Sequence, residues 1–211
     1  IGIEKNKPKA IEKMTKLCEK YDNITVKALK SSYPQGAEKT LIFSTTGRIV
    51  KEGTLPLTSG CIVVNSSTAA FIAQYIKTGM PLVKRRITVD GNIVKKPSNF
   101  IVPVGMSIGE IVYYAELSDK PDRIILGGPM MGACAFDPDY PLSKTNNAVL
   151  MFADSPVYEP SACIRCGKCV RACSMNLLPT ELEHAFDMKD ADRLEKLKVN
   201  LCVNCGACSY V

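Results

Sequence analysis

The sequence has no tryptophan and a single histidine, His184, which falls in a stretch that reads as helix and adds nothing to a metal site. Nowhere does it approach the roughly 20 uninterrupted apolar residues that a membrane-spanning helix needs. No predicted helix or strand gathers basic residues with interleaved aromatics, which argues against a nucleic-acid surface. Apolar residues are not scarce: 46% of the 211 residues are hydrophobic and 23% charged, a balance that excludes disorder. That length holds one large domain or two to three small ones. The first residues, Ile1-Gly2-Ile3-Glu4-Lys5, lack an initiator Met, a basic n-region and an apolar h-region. Ser209-Tyr210-Val211 breaks off inside a motif, so the chain is expected to be an interior piece of a longer protein. With no export signal in view, a reducing cytosol is the expected compartment, and disulfides are rare there. The formal charge of +6 fits either a docking face for an acidic partner or nucleotide, or a solvated lysine-rich surface.

Cysteine is what the chain has in excess. Seven of its ten cysteines fall in the last 49 residues, in two tight runs rather than a dispersed disulfide framework. Cys163, Cys166, Cys169 and Cys173 have the spacing C-x2-C-x2-C-x3-C, and Cys202, Cys205 and Cys208 repeat its first three positions. Two residues between ligands let the chain wrap three corners of a cubane, and in two-cluster ferredoxins the fourth cysteine of each run ligates the other cluster. On that pattern Cys202, Cys205, Cys208 and Cys173 complete one [4Fe–4S] cluster. The other takes Cys163, Cys166 and Cys169 and needs a cysteine just after Val211. Zinc is the rival, but its structural sites usually take paired C-x2-C knuckles, and two sets of three leave a surplus. Ser174 stands where a proline usually follows the fourth cysteine, a position that is not a ligand.

Ahead of these runs the chain changes character twice. Ile11, Met14, Leu17, Cys18 and Tyr21 share a helical stripe after Pro8. Residues 24–29 alternate as a strand. Residues 36–46 read as a helix stopped by Gly47, 61–64 as a buried strand, and 67–78 as a helix ending at Gly79. Strand and helix at this pitch suit a parallel α/β layer. From Arg86 the pattern is a strand, the turn Asp90-Gly91, a return strand from about Ile93, a strand over 99–104, a helix over 107–117 and a strand over 123–126: a small α+β unit. Residues 127–160, rich in Gly, Pro, Asp and Asn, read as a surface connection. After Pro179, Thr180 and Glu183 form an expected capping box, with Leu182, Ala185 and Phe186 as the buried stripe. Cys18, Cys61 and Cys134 read as small buried hydrophobes. The loops at 33–38 and 65–68 each open a helix and are candidates for a nucleotide, while Gly127-Gly128-Pro129 with Gly132 is by itself a turn.

Taken in order, Ile1-Gly2-Ile3-Glu4 with Asn6-Lys7-Pro8, Tyr33-Pro34-Gln35-Gly36, Thr46-Gly47-Arg48, the stretch from Gly127 to Gly132, Cys163-Ile164-Arg165-Cys166-Gly167 and Met175-Asn176-Leu177-Leu178-Pro179 resemble the C-subunit family of the Rnf electron-transport complex. The flavoprotein subunit of complex I is similar in its first two domains but carries one cluster. The resemblance implies α/β plus α+β architecture: a partial Rossmann-like FMN/NADH-binding domain over 1–81 and a β-grasp (SLBB) domain over 82–128. A connecting segment over 129–155 and a helical ferredoxin-like two-[4Fe–4S] domain over 156–211 follow. It implies FMN and NAD(H) as further cofactors, with Asn65 and Thr68 facing the flavin and Tyr33, Gly36 and Glu38 on the nucleotide side. The complex I relative has two adjacent acidic residues in that loop, where this chain has Ala37 before Glu38. The family's Gly-rich flavin loop is expected upstream of Ile1.

What the resemblance implies about role is a peripheral subunit on the cytoplasmic face of the membrane, with no span of its own. It would pass electrons between NAD(H), FMN and the clusters, alongside the complex's other subunits and, through them, ferredoxin. No side chain need act as acid, base or nucleophile. The alternatives are a diaphorase subunit of a hydrogenase or complex I-like assembly, a non-catalytic two-cluster adaptor, and a zinc-stapled interaction module.

Overall fold

A computed structural model describes residues 1–159 and 161–210. In chain order the elements are β1 (Gly2–Glu4), α1 (Pro8–Cys18), β2 (Lys27–Leu29), α2 (Glu38–Thr46), α3 (Ser66–Thr78), β3 (Lys84–Asp90), β4 (Ser98–Pro103), α4 (Ile108–Ala115), β5 (Arg123–Leu126), β6 (Ala133–Ala135), β7 (Ala148–Phe152), α5 (Lys168–Ala172), α6 (Pro179–Asp187), α7 (Ala191–Lys196) and α8 (Ala207–Tyr210). They form two compact units, one of Ile1–Val63 with Arg165–Val211 and one of Val64–Ile164. The architecture is mixed α/β with two sheets.

In the first unit β1 and β2 pair in parallel, Gly2 opposite Lys27 and Glu4 opposite Leu29. Gly2 has no room for a side chain, because a Cβ there would stand 2.7 Å from Leu41 Cδ1 and 2.8 Å from Leu29 Cδ1. α2 ends on Gly47 in the left-handed conformation, which a residue without Cβ adopts at no steric cost. The buried set in this unit is small: Leu29, Ile42, Val50, Leu177, Ala185 and Ala207, with Pro34, Gln35 and Pro56. Several of its large apolar side chains face out, Ile49 at 73% and Ile62 at 77% exposure among them.

The second unit has a fuller core. Its sheet runs β4-β3-β7-β5-β6, with β7 parallel to β3 and antiparallel to β5. Alternation puts Ile87 and Val89 of β3 and Val149 and Met151 of β7 inside, where they meet Ile108, Ile111 and Ala115 of α4. Burying side chains of this size contributes about 1.5–3 kcal/mol each. α4 starts with a complete capping box: the Glu110 amide donates to Ser107 Oγ at 3.2 Å and the Ser107 amide donates to Glu110 Oε2 at 3.0 Å. Two of the helix's orphan donors are thereby satisfied.

Several expectations are corrected here. Residues 127–160 are not a plain surface connection: β6 and β7 lie within them, and β7 is the central strand. Its neighbours are rich in turn formers, and that composition masked a five-residue apolar strand. Pro160 lies outside the described residues. The Gly-rich stretch from Gly127 is a turn, as expected: it joins the β5–β6 hairpin, and in it the Gly132 amide donates to Gly128 O at 2.8 Å. The return strand begins at Ser98, not near Ile93, because Asn92 turns aside to bind the end of β7 and Val94 only bridges to Leu117. Residues 61–64 make no strand, since a β-branched run needs a ladder partner for its backbone. Pro179 takes the first turn of α6 with Leu178 as cap, so Thr180 sits inside the helix and the Thr180–Glu183 box does not form. Phe186 is 71% exposed, whereas Ala185 is fully buried. Cys18 and Cys61 are half-buried and Cys134 is exposed, so none is a core residue.

A carboxylate latches the start of β5 to the chain leaving β7. Asp122 accepts from the Ser155 amide and hydroxyl, both at 2.9 Å, and these bonds hold its carboxyl below the usual carboxylate range. A depressed folded-state pKa gives stability that is present above the ordinary value of 3.8 and lost as pH falls through the folded one. The Ser155 amide's hydrogen-exchange protection factor is expected to fall on acidification through that window, and Asp122→Asn to abolish the dependence. A pH-independent protection factor in the parent would contradict the latch.

Candidate iron–sulfur ligand site

The two cysteine runs share a backbone conformation as well as a spacing. In the first, Arg165 and Gly167 flank Cys166 with φ of 55° and 72°; in the second, Asn204 and Gly206 flank Cys205 with φ of 51° and 74°. Left-handed residues on either side of a right-handed or extended one turn successive N–H groups toward one side, the concavity that anions and iron–sulfur groups occupy. Each run then enters a short helix, α5 after Gly167 and α8 after Gly206, and these two helices lie against each other.

Cys173, the last cysteine of the first run, lines the same cavity as Cys202, Cys205 and Cys208 of the second. The cavity has a volume of about 290 Å³, with Leu177 and Asn204 also on its wall. Backbone amides already point at two of these sulfurs: Leu177 N donates to Cys173 Sγ at 3.3 Å and Asn204 N to Cys202 Sγ at 3.4 Å. Donors aimed at sulfur offset the negative charge that a metal-ligating sulfur carries. Four soft thiols around one cavity, with amides directed at two of them, fit the donor set of a [4Fe–4S] cluster. Among the described residues no three Cys, His, Asp or Glu side chains close on a point that would hold a single metal ion.

The carbonyls of the middle cysteines are capped in different ways. In the first run Arg171 Nη1 donates to Cys166 O at 3.2 Å, from one turn along α5. In the second run the donor comes from far away in sequence, since Tyr33 Oη donates to Cys205 O. Partial desolvation, and after it the negative charge of the Cys205 thiolate, raise the Tyr33 phenol above its ordinary value, so it stays a donor at neutral pH. Arg171 lies five residues after Cys166 in the same run, a spacing there to be read; nothing local to Tyr33 pointed to Cys205.

The residues expected on the nucleotide side and facing the flavin are placed as follows. Tyr33 and Gly36 are exposed on the loop before α2, and Glu38 is exposed in that helix's first turn, where a carboxylate also complements the helix dipole. Asn65 caps α3, its amide oxygen accepting from Ser67 N at 2.9 Å. Thr68 lines a groove of about 340 Å³ with Ser67, Phe71, Lys84 and Arg86. The basic wall of that groove was not singled out from the sequence. His184 is exposed on α6.

Residues 1–74 match the family model described as the Nuo51 FMN-binding domain, and residues 162–211 match the 4Fe-4S dicluster domain. The C subunit of the proton-translocating ferredoxin:NAD(+) oxidoreductase complex of Clostridium ljungdahlii is 40% identical over 204 residues, 95% of this chain and 44% of that one. The C subunit of the Na(+)-translocating complex of Acetobacterium woodii is 37% identical over 198 residues, covering 92% of this chain and 45% of the relative. For the C subunit of the ion-translocating oxidoreductase complex of Rhodobacter capsulatus the figures are 35% over 201 residues, 92% and 39%. The chain is a homologue of these Rnf-type C subunits. It spans less than half the length of each. Against that family the two matched segments take on distinct parts: the N-terminal one is of the FMN-binding type, and the C-terminal one carries both cysteine runs of a dicluster type.

Proposed function

We propose that the protein to which these residues belong is the peripheral electron-transfer subunit of an Rnf-type complex, passing electrons between NAD(H), FMN and two [4Fe–4S] clusters. The observation that carries this reading is the cavity shared by Cys173 with Cys202, Cys205 and Cys208, the grouping that crossed ligation of a two-cluster ferredoxin would need. Those four residues would hold one cluster; Cys163, Cys166 and Cys169 would supply three ligands of the other. Bound flavin would exchange electron pairs with NAD(H) and single electrons with the clusters. The side chains would bind and orient: thiolates would ligate, amides and the Arg171 guanidinium would offset negative charge, and none need act as acid, base or nucleophile. Residues 1–81 would be part of the flavin and nucleotide domain, with Tyr33, Gly36, Glu38, Asn65 and Thr68 on its ligand side.

Residues from 82 onward would be the SLBB β-grasp domain. A hairpin, a helix, a second hairpin and a last strand inserted parallel to the first support that reading, and on it the domain would run past residue 128 to β7. The other subunits of the complex, with ferredoxin reached through them, would be the partners, on the inner face of the membrane. Among the described residues no helix is long and apolar enough to cross a membrane. The coupling ion differs between the relatives, proton in one and Na(+) in another, and belongs to the assembly as a whole.

The test is an anaerobic titration of the full-length protein with NADH, followed by visible and EPR spectra. Bleaching and reduced-cluster signals with NADH alone are expected. Reduction by dithionite only would overturn the NAD-linked role and leave a two-cluster adaptor; a colourless protein free of acid-labile sulfide would point to zinc.

A further inference from the structure

The two cysteine runs are alike in spacing, in left-handed residues and in the helix that follows, yet the middle cysteine of each is held by a different part of the chain. Arg171, five residues after Cys166, caps the first carbonyl from within its own run. The cap on Cys205 is supplied by Tyr33, 172 residues away and inside the segment of FMN-binding type. The loop that presents Tyr33 is itself fixed: Gln35 is 8% exposed and donates through Nε2 to Ser44 Oγ of α2 at 2.9 Å, while the Gln35 and Ala37 amides close turns onto Ser32 O and Pro34 O. The phenol is therefore aimed by a braced loop.

We infer that Tyr33 is a positioning residue that ties the Cys202–Cys208 ligand loop to the flavin-type segment and raises the reduction potential of the cluster this loop ligates. A hydroxyl donated to the Cys205 carbonyl puts the positive end of its dipole beside the ligand shell. Adding an electron to a cluster increases its negative charge, so the donor stabilises the reduced form, as hydrogen bonding near a cluster generally does. The electron comes from reduced flavin or from dithionite, and no bond forms or breaks. The bond also singles out one cluster of the two. The loop carrying the nucleotide-side residues Tyr33 and Gly36 is bonded directly to Cys205, so that cluster is the one whose position and potential respond to the flavin segment.

This inference rests on the reading of the cysteines as cluster ligands, which iron and acid-labile sulfide analysis of the unaltered protein tests separately. The experiment is an EPR-monitored redox titration of the anaerobically reconstituted full-length protein and of Tyr33→Phe, which removes one oxygen and keeps the ring. With iron and sulfide content equal in both, one of the two cluster potentials is expected to fall in Tyr33→Phe while the other stays in place. Arg171→Gln is the converse variant and is expected to shift the other potential. Unchanged potentials in Tyr33→Phe overturn the proposal. Loss of the cluster from Tyr33→Phe overturns it as well, because the phenol would then hold the loop's fold rather than tune its cluster.

Discussion

Replacing Cys173 with serine in the full-length protein is expected to remove the cluster built on the second cysteine run and to leave the first intact. In sequence Cys173 belongs with Cys163, Cys166 and Cys169; in the fold it lines the cavity of Cys202, Cys205 and Cys208. A serine hydroxyl is a far harder ligand than a thiolate and is not ionised near neutral pH, so the cubane loses its fourth corner and about four iron atoms leave with it. Double variants identify which cluster is lost, because changes within one unit are not additive. Cys173→Ser combined with Cys205→Ala is expected to release no more iron than either change alone. Cys173→Ser combined with Cys166→Ala is expected to empty both sites. The reverse pairing, additive with Cys205 and silent with Cys166, would show that each run closes on its own cluster and would remove the observation on which the proposed function stands.

The ligand cysteines were legible because cluster geometry is local: two residues between thiolates is a constraint written into consecutive positions. The helix after Ser107 was legible for the same reason, its apolar stripe falling within a few consecutive turns. β7 was not. Val149 and Met151 form the centre of the sheet only because β3 and β5 lie on either side of it, neighbours distant in sequence, and a run of five apolar residues between turn formers carries no sign of that. Residues 61–64 erred the other way, since branched residues promise a strand that no partner strand completes. At the site the division is the same. Arg171 stands five residues from the carbonyl it caps, but Tyr33 reaches Cys205 across 172 residues, and only tertiary structure brings them together. The Thr180–Glu183 box shows how a two-residue shift of a helix start, set by Pro179, silences a capping motif.

Gly91→Ala is expected to be the most damaging single-methyl change in the Val64–Ile164 unit. Gly91 follows β3 with φ of 139°, a conformation that residues with a Cβ avoid, and it is packed against the backbone of β7. A Cβ at this position would lie 1.8 Å from Met151 O and 2.6 Å from Met151 C, distances that neither a rotamer change nor a small shift relieves. Nor can the turn swing away cheaply. Asp90 Oδ1 accepts from the Gly91 amide at 2.8 Å, and the Asn92 side chain binds Ala153 twice, donating to its carbonyl at 2.9 Å and accepting from its amide at 3.1 Å. The alternative is for β7 to move, and β7 carries Val149 and Met151, both at 0% exposure, into the middle of the core. Backbone strain and overpacking together are expected to cost about 3–5 kcal/mol. Set against a total stability on the order of 5–15 kcal/mol, that would leave the unit marginal. Gly105→Ala is the control: its φ of 93° is also positive, yet a Cβ there meets nothing within 4 Å, so it should lose only the conformational part, about 1–2 kcal/mol. Urea midpoints of the two variants decide the matter. Equal losses would mean that the close approach of Gly91 to β7 contributes nothing, and that β7 is held in the sheet by its hydrogen-bonded neighbours alone.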